Sequence, residues 1–393
     1  MCDDDDFESI NAKKYINDMP NLNHRRMSNN SIAFEKKPTR KELHEIFQNI
    51  RINGEPGFIN MESAKKRRPN ARGLNPCGEV ILDSYGVCNL TTVNVRAYVV
   101  ESEGYYRLDY QGLMQAQALS TRAGIRMTCL DLELPHWDKI HKRDRLIGVS
   151  LTGWKDAMDL LEYTEEQEAN LLTFLSDVAH SEAVKYSHIL RIPTPLLDTT
   201  VKPEGTLSQV AGGVSSGVHV SHAPYYIRRI RINVDDPLVK VAFALDWKIQ
   251  PEVGQTWEDA RTLVIDFPQK SSARKTRAEQ TVKEQFDTYF RFQENYTSHN
   301  SSNTITVKDD EWEKAEQIVW DNWDNFIGVT FLPYDGGNYE LAPYEECTEE
   351  VYDALKERML PFNVDLLTSI ENGETEKDIE NMASCEGNVC PIF

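Results

Sequence analysis

The chain has 393 residues, 40% of them hydrophobic and 27% charged, and a formal net charge of −20. That length exceeds one ordinary domain, the composition is that of a globular protein, and so acidic a surface is unsuited to nucleic acid or anionic lipid, whose binding relies on Lys and Arg. No run approaches the ~18 apolar residues of a membrane span.

The acidic start "MCDDDDFESI" lacks the basic and apolar regions of a secretory signal, so a cytoplasmic protein with no nucleic-acid and no membrane partner is expected. Little periodicity is visible before Lys41, where "KELHEIFQNI" becomes amphipathic. A Gly/Pro/Asn-punctuated loop, 74–90, then carries Cys77 and Cys88 and leads into "VCNLTTVNV", which reads as a strand from its β-branched residues. Three helices are expected next: Tyr110 to Met127, Arg143 to Tyr163, and Glu165 to Leu190, the last on the spacing of "LLTFLSDVAHSEAVKYSHIL". The glycine- and serine-rich stretch "KPEGTLSQVAGGVSSGVH" has too many turn residues for a helix. Beyond it "RTLVIDFPQ", "NTITV" and "IGVTFLPY" read as strands, with a helix between the last two, so an α/β architecture is predicted. A last helix near Glu349 to Met359 precedes a charged tail.

The seven cysteines include no Cys-x-x-Cys pair, which disfavours a structural metal, and in a reducing compartment their thiols are free or redox-active. Cys129 and Cys347 are expected to be core residues and Cys2 an incidental thiol. In "LNPCGEVILDSYGVCNL" Glu79 stands two residues after Cys77 and can serve as acid or base toward whatever Cys77 reacts with. Asn75 offers an amide to the same space, and Cys88 can pair with a thiol elsewhere; a buried loop cysteine is the plain alternative. Cys385 and Cys390, separated by four residues on the tail, suit thiol exchange if exposed, or are incidental tail thiols. "KPEGTLSQVAGG" has turns and hydroxyls able to cradle phosphate but lacks the Gly-Lys-Ser/Thr ending of a P-loop, and an ordinary turn accounts for it equally well. His219 and His222 lack neighbours at ligand spacing and are read as loop residues.

"NPCGE", followed after eight residues by "CNLTTVNV", resembles the finger loop of adenosylcobalamin-dependent (class II) ribonucleotide reductases. "HRRMSNNSI", "RLIGVSLTGWKDAM", "KPEGTLSQVAGGVSSGVH" and the ending "CEGNVCPIF" resemble further segments of that family, most of all of its monomeric type that reduces ribonucleoside triphosphates. "VTFLPYDGG", with Leu332, Pro333 and Tyr334, lacks the Tyr-Tyr relay of class I enzymes, and no glycyl-radical motif of class III is present. The resemblance implies an α/β fold that is the second half of the ten-stranded reductase barrel, with its finger loop and a flexible C-terminal tail. It divides the chain into a barrel part, 1–345, a terminal helical segment, 346–372, and a redox tail, 373–393.

It further implies Cys77 as the thiyl that abstracts the ribose 3′-hydrogen, Glu79 as base and Asn75 as a substrate contact. Cys88 becomes one of the reducing dithiol, reloaded by Cys385 and Cys390 from thioredoxin or a similar reductant. Gly205, Thr206, Leu207 and Ser208 hold the substrate phosphates, adenosylcobalamin is the cofactor, and no protein residue is a metal ligand. In that family about as much protein again precedes the corresponding segment, so an N-terminal half on another polypeptide is expected as partner. The alternative is a truncated, non-catalytic remnant or a regulatory binding module.

Overall fold

The computed structural model describes every residue except 17, 335–339 and 374–393. The described chain forms two compact units, one of Met1–Ser221 and Ser272–Tyr334, the other of His222–Ser271 with the residues from 340 onward. This is a discontinuous division, unlike the sequential one at 345 and 372 expected above. Its cause is long-range strand pairing, which leaves no mark on linear composition.

The first unit is built on parallel strands. Asn89–Asn94 pairs with Ile147–Thr152 in parallel, Asn89 opposite Ile147 and Asn94 opposite Thr152. Parallel bridges from Val149 to Thr199 and from Val201 to Ser301 carry the order onward. Thr304–Val307 then pairs in parallel with Gly328–Pro333. Direction reverses at the next neighbour, because Gly57–Asn60 runs antiparallel to Gly328–Pro333 and is followed by Ser31–Phe34 and Cys2–Asp3. Ser31–Phe34 lies in a region without visible periodicity, since three of its four residues are buried and no alternation is left to read.

Helices cover the strands. Tyr110–Met127 and Glu165–Leu190 form where expected, the first capped by Asp109, whose carboxylate accepts from Gly112 N, the second by a capping box of Thr164 and Gln167. They bury Leu113, Leu171, Leu172 and Leu175 against Trp154 and Phe292, each such side chain contributing about 1.5–3 kcal/mol. Thr39 with Glu42 and Thr281 with Glu284 cap two further helices, Arg40–Asn53 and Val282–Asn295, in the same way.

The helix expected over Arg143 to Tyr163 is not formed as such. The structure has a helix at Pro135–Asp144, a strand at Ile147–Thr152 and a second helix at Trp154–Leu161. All six strand residues are buried, so the segment carries neither the two-residue nor the 3.6-residue period. Left-handed residues, Arg145 at φ 48° and Gly153 at φ 66°, mark the breaks on either side. Gly148 belongs to this strand for steric reasons, since a Cβ there would lie 2.5 Å from Leu90 Cδ2 and 2.7 Å from Thr200 Cγ2.

The second unit is an antiparallel sheet in the order Ile249–Pro251, Thr262–Lys270, Tyr225–Asn233, Tyr344–Glu346. Within it Arg229 is buried and paired with Asp266 at 3.0 Å, and Val241 of the helix Pro237–Ala244 and Leu245 just after it pack on Leu366 and Ile370 of Val364–Glu371. Among the described residues no helix is long and apolar enough to cross a membrane.

Replacing Gly148 by Ala forces Leu90 and Thr200 apart, and we expect a loss of about 1–3 kcal/mol of stability, read as a lower midpoint in urea unfolding of the full chain.

Candidate active site

Cys77 stands at the tip of a hairpin whose arms are Gly73–Leu74 and Ile81–Leu82. Asn75 closes the tip locally: its carbonyl accepts from Gly78 N at 2.8 Å and its side-chain oxygen from Val80 N at 2.9 Å. Gly78 adopts φ 76°, the left-handed conformation that this turn requires.

The rest of the tip's main chain is held by side chains and amides of other strands. Ser302 Oγ donates to Cys77 O at 2.7 Å, and Asn300 Nδ2 to Gly78 O at 2.7 Å. Glu79 O accepts from Asn300 N at 3.1 Å, and Thr200 Oγ1 shares its hydrogen between Glu79 O at 2.8 Å and Asn300 O at 2.6 Å. Ile81 N donates to His299 Nδ1 at 3.2 Å, while His299 Nε2 donates to Ile147 O at 3.1 Å. Burial, followed by the charges of Arg68 and Arg67, pushes the His299 imidazole down to about 3, so it is neutral here and its two nitrogens keep those separate roles.

Two arginines secure the loop's base. Arg67 donates to the carbonyls of His299 at 2.8 Å and Gln293 at 2.9 Å, and Arg68 donates to Ile81 O at 2.9 Å while pairing with buried Asp144.

The predicted residues Asn75, Cys77, Glu79 and Cys88 form one electrostatic group. Cys77 is exposed, and its thiol is raised by the surrounding protein and by Glu79. Cys88 is pushed up to about 12 by burial, then by Glu79 and Cys77. Both are therefore thiols at neutral pH, fitted to give up hydrogen rather than to attack as thiolates. Glu79 is 2% exposed, and its Oε2 has no hydrogen-bond partner among the described residues. Burial raises its carboxyl, a bond from Asn75 and the Lys202 cation oppose the rise, and the charge of Glu204 adds to it.

Lys202 and Glu204 were not singled out in the sequence, although both lie in the quoted "KPEGTLS". Lys202 Nζ donates to Thr92 Oγ1 at 3.0 Å, Thr92 Oγ1 donates to Glu204 Oε1 at 2.9 Å, and Nζ lies 3.6 Å from Glu204 Oε2. Ser150 Oγ donates to Glu204 at 2.6 Å and accepts from Lys202 N at 2.9 Å. Two buried carboxylates thus share one lysine. The signal available was the pair of opposite charges two residues apart, overshadowed by the glycines and hydroxyls around them.

Gly205, Thr206 and Leu207 are exposed, and a Cβ at Gly205 would meet nothing within 4 Å, so the backbone there is open to a ligand. Ser208 is different: it is buried, its N–H goes to Glu204 O at 2.9 Å and its hydroxyl pairs with Ser216 Oγ at 2.9 Å. One helical turn, Leu207–Val210, forms in this stretch, where only turns were expected. His219 Nδ1 lies 3.2 Å from Ser216 O and its Nε2 accepts from Thr304 N at 3.1 Å, a structural pairing. Cys129, expected in the core, is exposed at the end of its helix, with Sγ 3.6 Å from Ile125 O. Cys385 and Cys390 lie outside the described residues. Among the described residues no three His, Cys, Asp or Glu side chains cluster as metal ligands.

This geometry meets the comparisons with known proteins. Residues 4–190 match the family model of the ribonucleotide reductase barrel domain. The chain is similar to the ribonucleotide reductases. Two similar relatives are both named adenosylcobalamin-dependent ribonucleoside-triphosphate reductase: one from Levilactobacillus brevis, 28% identical over 94% of this chain and 53% of its own length, and one from Lactobacillus acidophilus, 26% identical over 99% and 55%. A crystal structure of a B12-dependent (class II) ribonucleotide reductase superposes with a TM-score of 0.79 at 24% identity, covering 96% of this chain and 55% of that one. The Actinobacillus ureae class Id reductase alpha subunit superposes at 0.59 with 12% identity, over 85% and 70%. These superpositions show the fold, and it is the expected one, an α/β reductase barrel portion with its finger loop. The chain spans about half the length of the curated relatives it matches.

The two loop thiols should be told apart by alkylation. Iodoacetamide at pH 8 is expected to label Cys77 well before Cys88, and Glu79→Gln, by removing a negative charge, to speed labelling of Cys88; peptide mass spectrometry reads both.

Proposed function

We propose that this chain is the C-terminal part of a B12-dependent ribonucleoside-triphosphate reductase, completed by an N-terminal half on another polypeptide, and that it converts ribonucleotides to 2′-deoxyribonucleotides by thiyl-radical chemistry. The observation that carries the reading is the finger tip itself, an exposed Cys77 whose loop is anchored inside the strands and whose neighbour Cys88 senses the charge of Glu79.

In this reading Cys77 takes the 3′-hydrogen of the ribose and later returns it. Glu79, buried and raised above the usual carboxylate range, accepts the 3′-hydroxyl proton, with the Lys202 and Glu204 pair setting how strongly it holds it. Cys88 and a second thiol from the other half become a disulfide as the 2′-hydroxyl leaves as water, so substrate and dithiol give deoxynucleotide, disulfide and water. Asn75, whose oxygen is committed to Val80 N, acts through its amide nitrogen. The open backbone of Gly205, Thr206 and Leu207 takes the phosphates, and Ser208 supports that loop from beneath. Cys385 and Cys390 reload the dithiol from thioredoxin or a similar reductant.

A cavity of about 310 Å³ at Cys77, walled in part by Phe58 and Val329, fits the adenosyl part of adenosylcobalamin. When bound, that cofactor supplies the 5′-deoxyadenosyl radical.

Cys77→Ser in the assembled enzyme should lose both deoxynucleotide formation and the exchange of tritium from water into the cofactor's 5′ position. Cys88→Ser should keep the exchange and lose reduction, because it acts after hydrogen abstraction. Exchange surviving in Cys77→Ser would refute the assignment of Cys77, whereas an assembled wild type showing neither exchange nor reduction would favour the non-catalytic alternative.

Cys385→Ser or Cys390→Ser should cut thioredoxin-driven turnover at least about tenfold, a tenfold change corresponding to 1.36 kcal/mol of barrier, while a small dithiol that reaches Cys88 directly restores much of it. Steady-state assays with the two reductants make the comparison.

A further inference from the structure

The cavity beside the finger tip is lined by Cys77 and Gly78, but by neither Glu79 nor Cys88, nor by any residue of 202–208. Cys77 and Asn75 therefore border a space that the buried acid and the second thiol do not line. Phe58, Ile59 and Val329 give that space apolar walls.

Two buried asparagines line it, and they differ in one respect. Asn300 is fully used: its Oδ1 accepts from Tyr289 OH at 2.8 Å and Gln293 Nε2 at 2.9 Å, and its Nδ2 donates to Gly78 O and Gly328 O. Asn303 is 7% exposed, yet neither its Oδ1 nor its Nδ2 bonds any group among the described residues. Its backbone is pinned on both sides, the carbonyl accepting from Thr330 Oγ1 at 2.7 Å and the next residue's N–H donating to His219 at 3.1 Å. A buried amide with both ends unpaired is costly, and natural proteins keep such groups where a ligand or water completes them.

A carboxamide presents an acceptor and a donor side by side, the complement of an adenine edge with its 6-amino donor and adjacent ring-nitrogen acceptor. We propose that Asn303 reads the adenine of the 5′-deoxyadenosyl group brought to Cys77, while Phe58 and Val329 pack against the ring. The proposal rests on the cobalamin-dependent reading above and adds to it the residue that selects the base. It places the adenine in a space that no residue of 202–208 lines, so a nucleotide held there by its phosphates does not compete for it.

The test is equilibrium binding of 5′-deoxyadenosine to the full chain, set against the same nucleoside without its 6-amino group and against CTP as competitor. The wild type should bind 5′-deoxyadenosine about tenfold or more tightly than the analogue, and CTP should not displace it. Asn303→Leu, of similar size and without polar atoms, should lose that preference and bind both weakly. Because it removes an unpaired buried amide, its melting temperature should stay level or rise.

Equal binding of the two nucleosides by the wild type, no binding, displacement by CTP, or a preference that survives in Asn303→Leu would each overturn the proposal. So would a lowered melting temperature in that variant, which would mark the amide as structural. The measurement involves no reduction and no thioredoxin, so it can fail while tritium exchange upholds the reductase reading, or succeed while that reading fails.

Discussion

The hydrogen bonds from residues 299–302 and Thr200 to the finger tip are the constraint on which the rest of the site depends. A tip of sequence Asn-Pro-Cys-Gly-Glu has no ladder partner of its own, and its carbonyls would be left unpaired among the strands. Ser302, Asn300 and Thr200 take up those of Cys77, Gly78 and Glu79. Each bond is worth about 0.5–1.5 kcal/mol net, yet leaving a buried partner unsatisfied costs about 1–3 kcal/mol. The loop is thereby held to one conformation. Asn300 is central because Tyr289 and Gln293 orient its amide from behind, so the position of Cys77 is tied to the helix Val282–Asn295 as well as to the strands.

Electrostatics complete what the hydrogen bonds arrange. Burial pushes Glu79 toward the neutral acid and the Lys202 cation, 3.6 Å from Glu204, opposes it, while the bonds from Thr92 and Ser150 engage Glu204 as an acceptor. The negative field that remains, added to burial, keeps Cys88 and Cys77 protonated. A site that moves hydrogen atoms and protons needs thiols rather than thiolates, and in the proposed function the same carboxylate both prepares the thiols and accepts a proton. The lysine reaches this place because Lys202 and Glu204 begin the loop that exposes Gly205, Thr206 and Leu207, so the phosphate contact we propose and the environment of Glu79 are set by one stretch of chain.

The second unit owes its separation to pairing across long sequence distance. Tyr225–Asn233 takes Thr262–Lys270 on one side over nine residues and Tyr344–Glu346 on the other. Burial of Arg229 is tolerated because Asp266 and Glu345 both face it.

By itself the sequence determined the α/β class, most of the amphipathic helices, and the association of Cys77, Glu79 and Cys88, because periodicity and close spacing are local properties. It also carried the resemblance to reductases through a motif compact enough to read. It could not place Ile147–Thr152 as a strand, since a segment buried on both faces shows no period, nor reveal Ser31–Phe34 for the same reason. The partners that hold the finger tip come from more than 100 residues away, as do the strand pairs that join Tyr225–Asn233 to Tyr344–Glu346. Only the folded chain decided that Lys202 and Glu204 serve Glu79, that Ser208 faces inward, and that Asn303 stands unpaired beside Cys77, because burial and hydrogen-bond satisfaction belong to three-dimensional neighbours rather than to residues in a row.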